Sequence, residues 1–190
     1  AKAVDGLVTT LVDAGGTISA ATKNGAQGRI VIAGTGGDVI LRGVVAARGD
    51  AAGAKGGQIE VNAPGHQVAL AAGAVVDASG RAGGGVVAVG TTLARAKGGP
   101  SVTAPTAKHV TIAEGAKLAA DATGNGDGGI VTVLSKGGAT IYQGEISAQG
   151  GPGGGDGGAV EVSGDYLALL GSVNVLAPMG AAGSVLLDPN

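Results

Sequence analysis

Six short stretches of the chain share one pattern of apolar and variable positions. Each follows a glycine: Gly28, Gly57, Gly85, Gly129, Gly158 and Gly183. Two residues on stand Ile30, Ile59, Val87, Val131, Val160 and Val185. Four residues on stand Ile32, Val61, Val89, Val133, Val162 and Leu187. The residue between them changes freely, as Val31, Glu60, Ala88, Thr132, Glu161 and Leu186. Strict alternation around a β-branched face predicts a strand buried on one side, with the variable residue pointing outward.

Each period holds two more short apolar runs. One ends at a glycine: Val39 to Gly43, Val68 to Gly73, Val110 to Gly115, Thr140 to Gly144 and Leu167 to Gly171. Its register slips by a residue between copies. The other reads large-x-small, from Ile18-Ser19-Ala20 through Val45-Ala46-Ala47, Val76-Asp77-Ala78 and Leu118-Ala119-Ala120 to Ile146-Ser147-Ala148, with Val173-Asn174-Val175 the most divergent. Gly-, Asp- and Asn-rich loops close each period. Helical periodicity is absent throughout. Three short strands in under 30 residues predict a parallel β-helix, because one coil cannot bury its own inner face and stacked coils can. The expectation is an all-β, right-handed solenoid of about six coils with three short strands per coil, forming a single domain over residues 1–190. The repeat alone does not set handedness; the usual crossover preference is one of its two grounds. A β-sandwich does not require one residue class at one repeat position.

Composition narrows the alternatives. Glycine supplies 41 of 190 residues, yet 44% of the chain is hydrophobic, too much for a disordered segment. The glycines have no period of three, which excludes collagen. Cysteine is absent, which removes disulfide and Cys-based zinc scaffolds. No apolar run is long enough for a transmembrane helix. The formal charge is −2, and without a basic–aromatic platform nucleic acid is not an expected partner. The charge is unevenly spread: residues 1–117 carry 11 basic and 7 acidic side chains, and residues 118–190 carry Lys136 against seven acids. Oppositely charged ends of a solenoid would favour head-to-tail contact between copies.

The interval from Gly85 to Gly129 is 44 residues, about 15 more than its neighbours. The excess is expected to form a loop insertion at about 91–105. Insertions in solenoids project from one face, often the binding face. Arg95, Lys97, Lys108 and His109 are therefore the candidate partner-contacting residues.

Catalytic chemistry finds little support in the residues. Glycoside cleavage needs two carboxylates about 5–10 Å apart. Glu60 and Glu161 share one outward repeat position but stand three coils, about 14 Å, apart. They read as solubilising charges. Neither His66 nor His109 has a second ligand at metal spacing. The loops Gly124-Asn125-Gly126-Asp127 and Gly150 to Asp156 are similar to calcium-binding glycine–aspartate turns, but they recur once per coil instead of every nine residues. Asp121, Asp127 and Asp156 stay as weak cation candidates. No catalytic residue, cofactor or specific metal is expected.

Two segments carry a family resemblance. Gly73-Ala74-Val75-Val76-Asp77-Ala78-Ser79-Gly80, followed by Gly83 to Val89, resembles the filamentous haemagglutinin-like exoproteins of two-partner secretion. So does the stretch Gly183-Ser184-Val185-Leu186-Leu187-Asp188-Pro189-Asn190. The resemblance implies a right-handed β-helix, export through an outer-membrane secretion partner, and display or release at the bacterial surface as an adhesin. An Asn-Pro-Asn-Gly type motif of a secretion module is not found, so the chain is expected to be a segment of something longer. The resulting expectation is a structural, non-enzymatic segment of a secreted surface protein, used in adhesion or biofilm matrix and meeting a receptor or polysaccharide. It is expected to assemble end to end. A carbohydrate-active β-helix enzyme is the alternative. An ice- or crystal-binding solenoid is weaker, since Thr132 is the single threonine in its outward column.

Overall fold

A computed structural model describes residues 10–189. Three strands recur per coil, and every third strand joins the same sheet. The first sheet stacks β1 (Thr10–Ala14), β4 (Asp38–Leu41), β7 (Gln67–Leu70), β10 (His109–Ile112), β13 (Ala139–Tyr142) and β16 (Tyr166–Leu169). The second stacks β2 (Thr17–Ser19), β5 (Val44–Ala46), β8 (Val75–Asp77), β11 (Lys117–Ala119), β14 (Glu145–Ser147) and β17 (Ser172–Asn174). The third stacks β3 (Arg29–Ala33), β6 (Gln58–Asn62), β9 (Val86–Val89), β12 (Ile130–Leu134), β15 (Ala159–Gly164) and β18 (Ser184–Pro189). Every pairing between these strands is parallel. The molecule is a β-solenoid of about six coils, as its repeat implies.

The columns read from sequence are the columns of the core. Ile30, Ile59, Val87, Val131, Val160 and Val185 are successive partners, and so are Ile32, Val61, Val89, Val133, Val162 and Leu187. All but the last member of each column are buried. The second sheet adds Val45, Val76, Leu118 and Ile146, and the corner after it is filled by Ala47, Ala78, Ala120 and Ala148. Among the described residues the one aromatic ring in this core is Tyr142, packed between Ile112 and Leu169; the rest is Val, Ile, Leu and Ala, stacked mostly on aliphatic side chains in the coils above and below.

From β4 onward the register slip expected in the first sheet lies in the turn instead of the strand, whereas the pairing of β1 with β4 shifts between Thr10 and Val12. Val39, Val68, Val110, Thr140 and Leu167 pair without interruption. Only the turn to the second sheet varies. It takes two residues at 42–43, 143–144 and 170–171, and four at 71–74 and 113–116. The longer turns place Gly73 and Gly115 at φ near +80°, where other residues are strained. The repeat glycines that open the third sheet have a different reason. A Cβ on Gly129 would lie 2.1 Å from the Gly85 carbonyl oxygen. That same oxygen accepts the Ile130 N–H. This column holds glycine because a side chain would sit inside the hydrogen-bond ladder.

The insertion leaves the solenoid after β9 and rejoins it at β10. It is not all loop, because Leu93–Gly98 form a short helix, α1.

Candidate partner-binding site at the insertion

Helix α1 lies on the outer face of the third sheet, and its footing is set by the variable column of the repeat. Thr92 caps the helix, its hydroxyl accepting the Arg95 N–H at 3.2 Å. Glu60 accepts the Leu93 N–H at 2.9 Å, bringing a negative charge to the helix N-terminus. Leu93 and Ala96 pack on Ala88 and Val86. Arg95 then reaches across to Glu161, with a bidentate contact whose Nη1–Oε2 distance is 2.9 Å. Ser163 donates its hydroxyl to the same carboxylate at 2.9 Å. At the far end of the insertion, the Asn62 amide donates to the Pro105 carbonyl at 2.9 Å. Three polar side chains of the solenoid thus clasp one excursion of the chain.

Two expectations change as a result. Glu161 is not a solvated charge: it is 8% exposed and fully engaged by Arg95 and Ser163. Glu60 is tied to the insertion backbone. The two glutamates weighed as a catalytic pair are fasteners. Arg95, expected to meet a partner, is 5% exposed and spends two of its donors on Glu161, which leaves its remaining donors for any such contact.

The other three candidates divide. Lys97, Lys108 and His109 are exposed. Lys97 lines an open groove of about 350 Å³ beside α1, floored by Ile130, Ala159 and Leu186. Lys108 and His109 lie at the corner between the third and first sheets. His109 uses its ring there, Nδ1 accepting the Ala139 N–H at 3.2 Å.

The same corner brings in two residues that the sequence reading missed. Lys136 follows β12, and its N–H donates to the Ala107 carbonyl at 2.9 Å, beside Lys108. Lys136, Arg95 and Thr103 line one cavity of about 130 Å³, with Pro100, Val102 and Leu134 as apolar wall. Aligning coils three and four by register would have placed Lys136 next to Lys108. Nothing in the repeat would have brought Thr103 there, since the insertion has no counterpart in other coils.

The aspartates weighed as cation ligands hold adjacent coils together. Asp121 accepts the Gln149 N–H and the Ser147 hydroxyl, both at 2.7 Å. Asp127 accepts the Asp156 N–H, and Asp156 the Ala181 N–H, each at 2.8 Å. Among the described residues no group of three or more His, Cys, Asp or Glu side chains could hold a metal ion. Among the described residues no helix is long and apolar enough to cross a membrane.

No family model matches the chain, and no curated protein does. Among solved structures it is similar to the HMW1 secretion domain from Haemophilus influenzae, with a TM-score of 0.64 and 26% identity. The likeness covers 92% of this chain and 48% of that one, so the chain spans about half the length of the structure it matches.

Proposed function

We propose that the chain is a structural, non-enzymatic part of a secreted bacterial surface protein, exported by an outer-membrane partner in two-partner secretion. The observation that carries this is the likeness of almost the whole chain to a secretion domain, together with the resemblance already present in the Gly73–Val89 and Gly183–Asn190 segments. The likeness supports a place closer to the export module than the sequence reading gave it. The engagement of Glu60 and Glu161 with the insertion counts against the carbohydrate-active alternative. Adhesion or a biofilm matrix role follows as the use of such a rod. End-to-end assembly draws support from the opposite charge of its two halves. In the last described coil, Val185 and Leu187 are exposed, and a further coil, of the same chain or another, would cover them.

Export is the direct test. The chain is sent to the periplasm of a Gram-negative host with and without a two-partner outer-membrane transporter. Appearance in the medium only with the transporter supports the reading. Retention in the periplasm with it, or release without it, contradicts the reading.

A further inference from the structure

We infer that the cavity between the insertion and the corner after β12 binds a single oxyanionic group, a carboxylate or a sulfate. Its polar lining is Arg95, Thr103 and Lys136. An arginine has five N–H donors in a fixed fork, and Glu161 takes two of these. The guanidinium therefore keeps donors free and stays locked in place by the carboxylate behind it. Lys136 is exposed and makes no ion pair among the described residues. Thr103 adds a hydroxyl that can donate.

Charge and size agree on the ligand. Arg95 and Glu161 cancel, and Lys136 leaves the cavity positive. Lys108 stands on the neighbouring coil and adds to that field. Asp165, beside Tyr166 on the following coil, opposes it and is exposed to solvent. Pro100, Val102 and Leu134 supply apolar surface against which the carbon skeleton bearing the anion could pack. A volume of about 130 Å³ exceeds the roughly 30 Å³ share of one water. It admits an anionic group with the carbon or sulfur that bears it, and is too small for a folded peptide segment. Two sources present this chemistry: an acidic polysaccharide, through its uronate or sulfate groups, and a free small anion.

Amide chemical shifts of the full chain, titrated with sodium glucuronate and separately with sodium sulfate, test the site. Saturable shifts are expected at Thr103, Ala104 and Lys136. Lys136→Ala should weaken binding about tenfold, the share of one charge-assisted hydrogen bond. Lys23→Ala, on the exposed Asn24-Gly25 turn, should leave it unchanged. Polygalacturonate and neutral dextran separate the sources. Tighter binding to polygalacturonate than to glucuronate assigns the site to a polymer, and equal affinity assigns it to free anions. Absence of saturable shifts up to about 0.1 M, where surface attraction is already screened within about 10 Å, overturns the inference. So does an equal loss in Lys23→Ala, which would mean diffuse surface charge. The result does not depend on the export route, so failure here leaves the proposed function standing.

Discussion

One coil carries two glutamates at outward strand positions, and their surroundings differ completely. Glu145 opens β14 and meets Lys117 of the preceding coil at 3.2 Å, with both side chains more than half exposed. Glu161, on β15, meets Arg95 under the insertion, with both side chains less than a tenth exposed. The local strand pattern is the same. What differs is whether a second layer of chain lies over the sheet. An outward position on a solenoid is a surface position only until an excursion from another coil covers it. The pairing then changes from a weak, screened contact to one whose loss strands a charge in the dry layer.

That contrast has consequences of graded size. Arg95→Ala leaves the Glu161 carboxylate buried without its countercharge and should cost about 3–5 kcal/mol in denaturant unfolding. Tyr142, on β13 of the same coil, sharpens the comparison from the inside. It is fully buried in a core column between Ile112 and Leu169, and its hydroxyl has no hydrogen-bond partner. Tyr142→Phe should therefore be neutral or stabilise by about 1 kcal/mol. Burial, with a smaller contribution from the Glu145 charge, holds the Tyr142 phenol well above its ordinary range. The folded protein keeps this proton while the unfolded chain loses it near pH 10. The stability from the neutral phenol is thus complete below that pH and declines as pH rises above it. A stability profile from pH 8 to 11 should show that decline in the parent and a flatter limb in Tyr142→Phe. Smallest of all, Lys117→Ala should change stability by less than about 1 kcal/mol, and salt should erase even that.

The ladders were legible because the coils repeat the same demand, a β-branched residue at two inward positions (Leu187 alone departs) and a glycine where coils touch. Six imperfect copies reveal what one cannot. The same logic failed at Glu161 and Arg95. The repeat fixes which way a side chain leaves its own strand. It says nothing of what the 44-residue interval lays on top of it. Thr92 before Leu93, with Gly99 after the short run, is a capping signature that could have suggested a helix in the insertion. The pairing of Arg95 with Glu161 spans 66 residues and two sheet neighbours, beyond any local pattern. Tyr142 was legible as a member of an apolar column, but its unpaired hydroxyl depends on the packing around it.

The direct measurement is a double-mutant cycle on Arg95→Ala and Glu161→Ala, each unfolded in denaturant alongside the double variant. If the buried pair rivets the insertion to the solenoid, the two losses overlap, with a coupling of about 2 kcal/mol or more. Losses that add to within about 0.5 kcal/mol would contradict this. They would mean that the insertion rests on the sheet without being fastened to it.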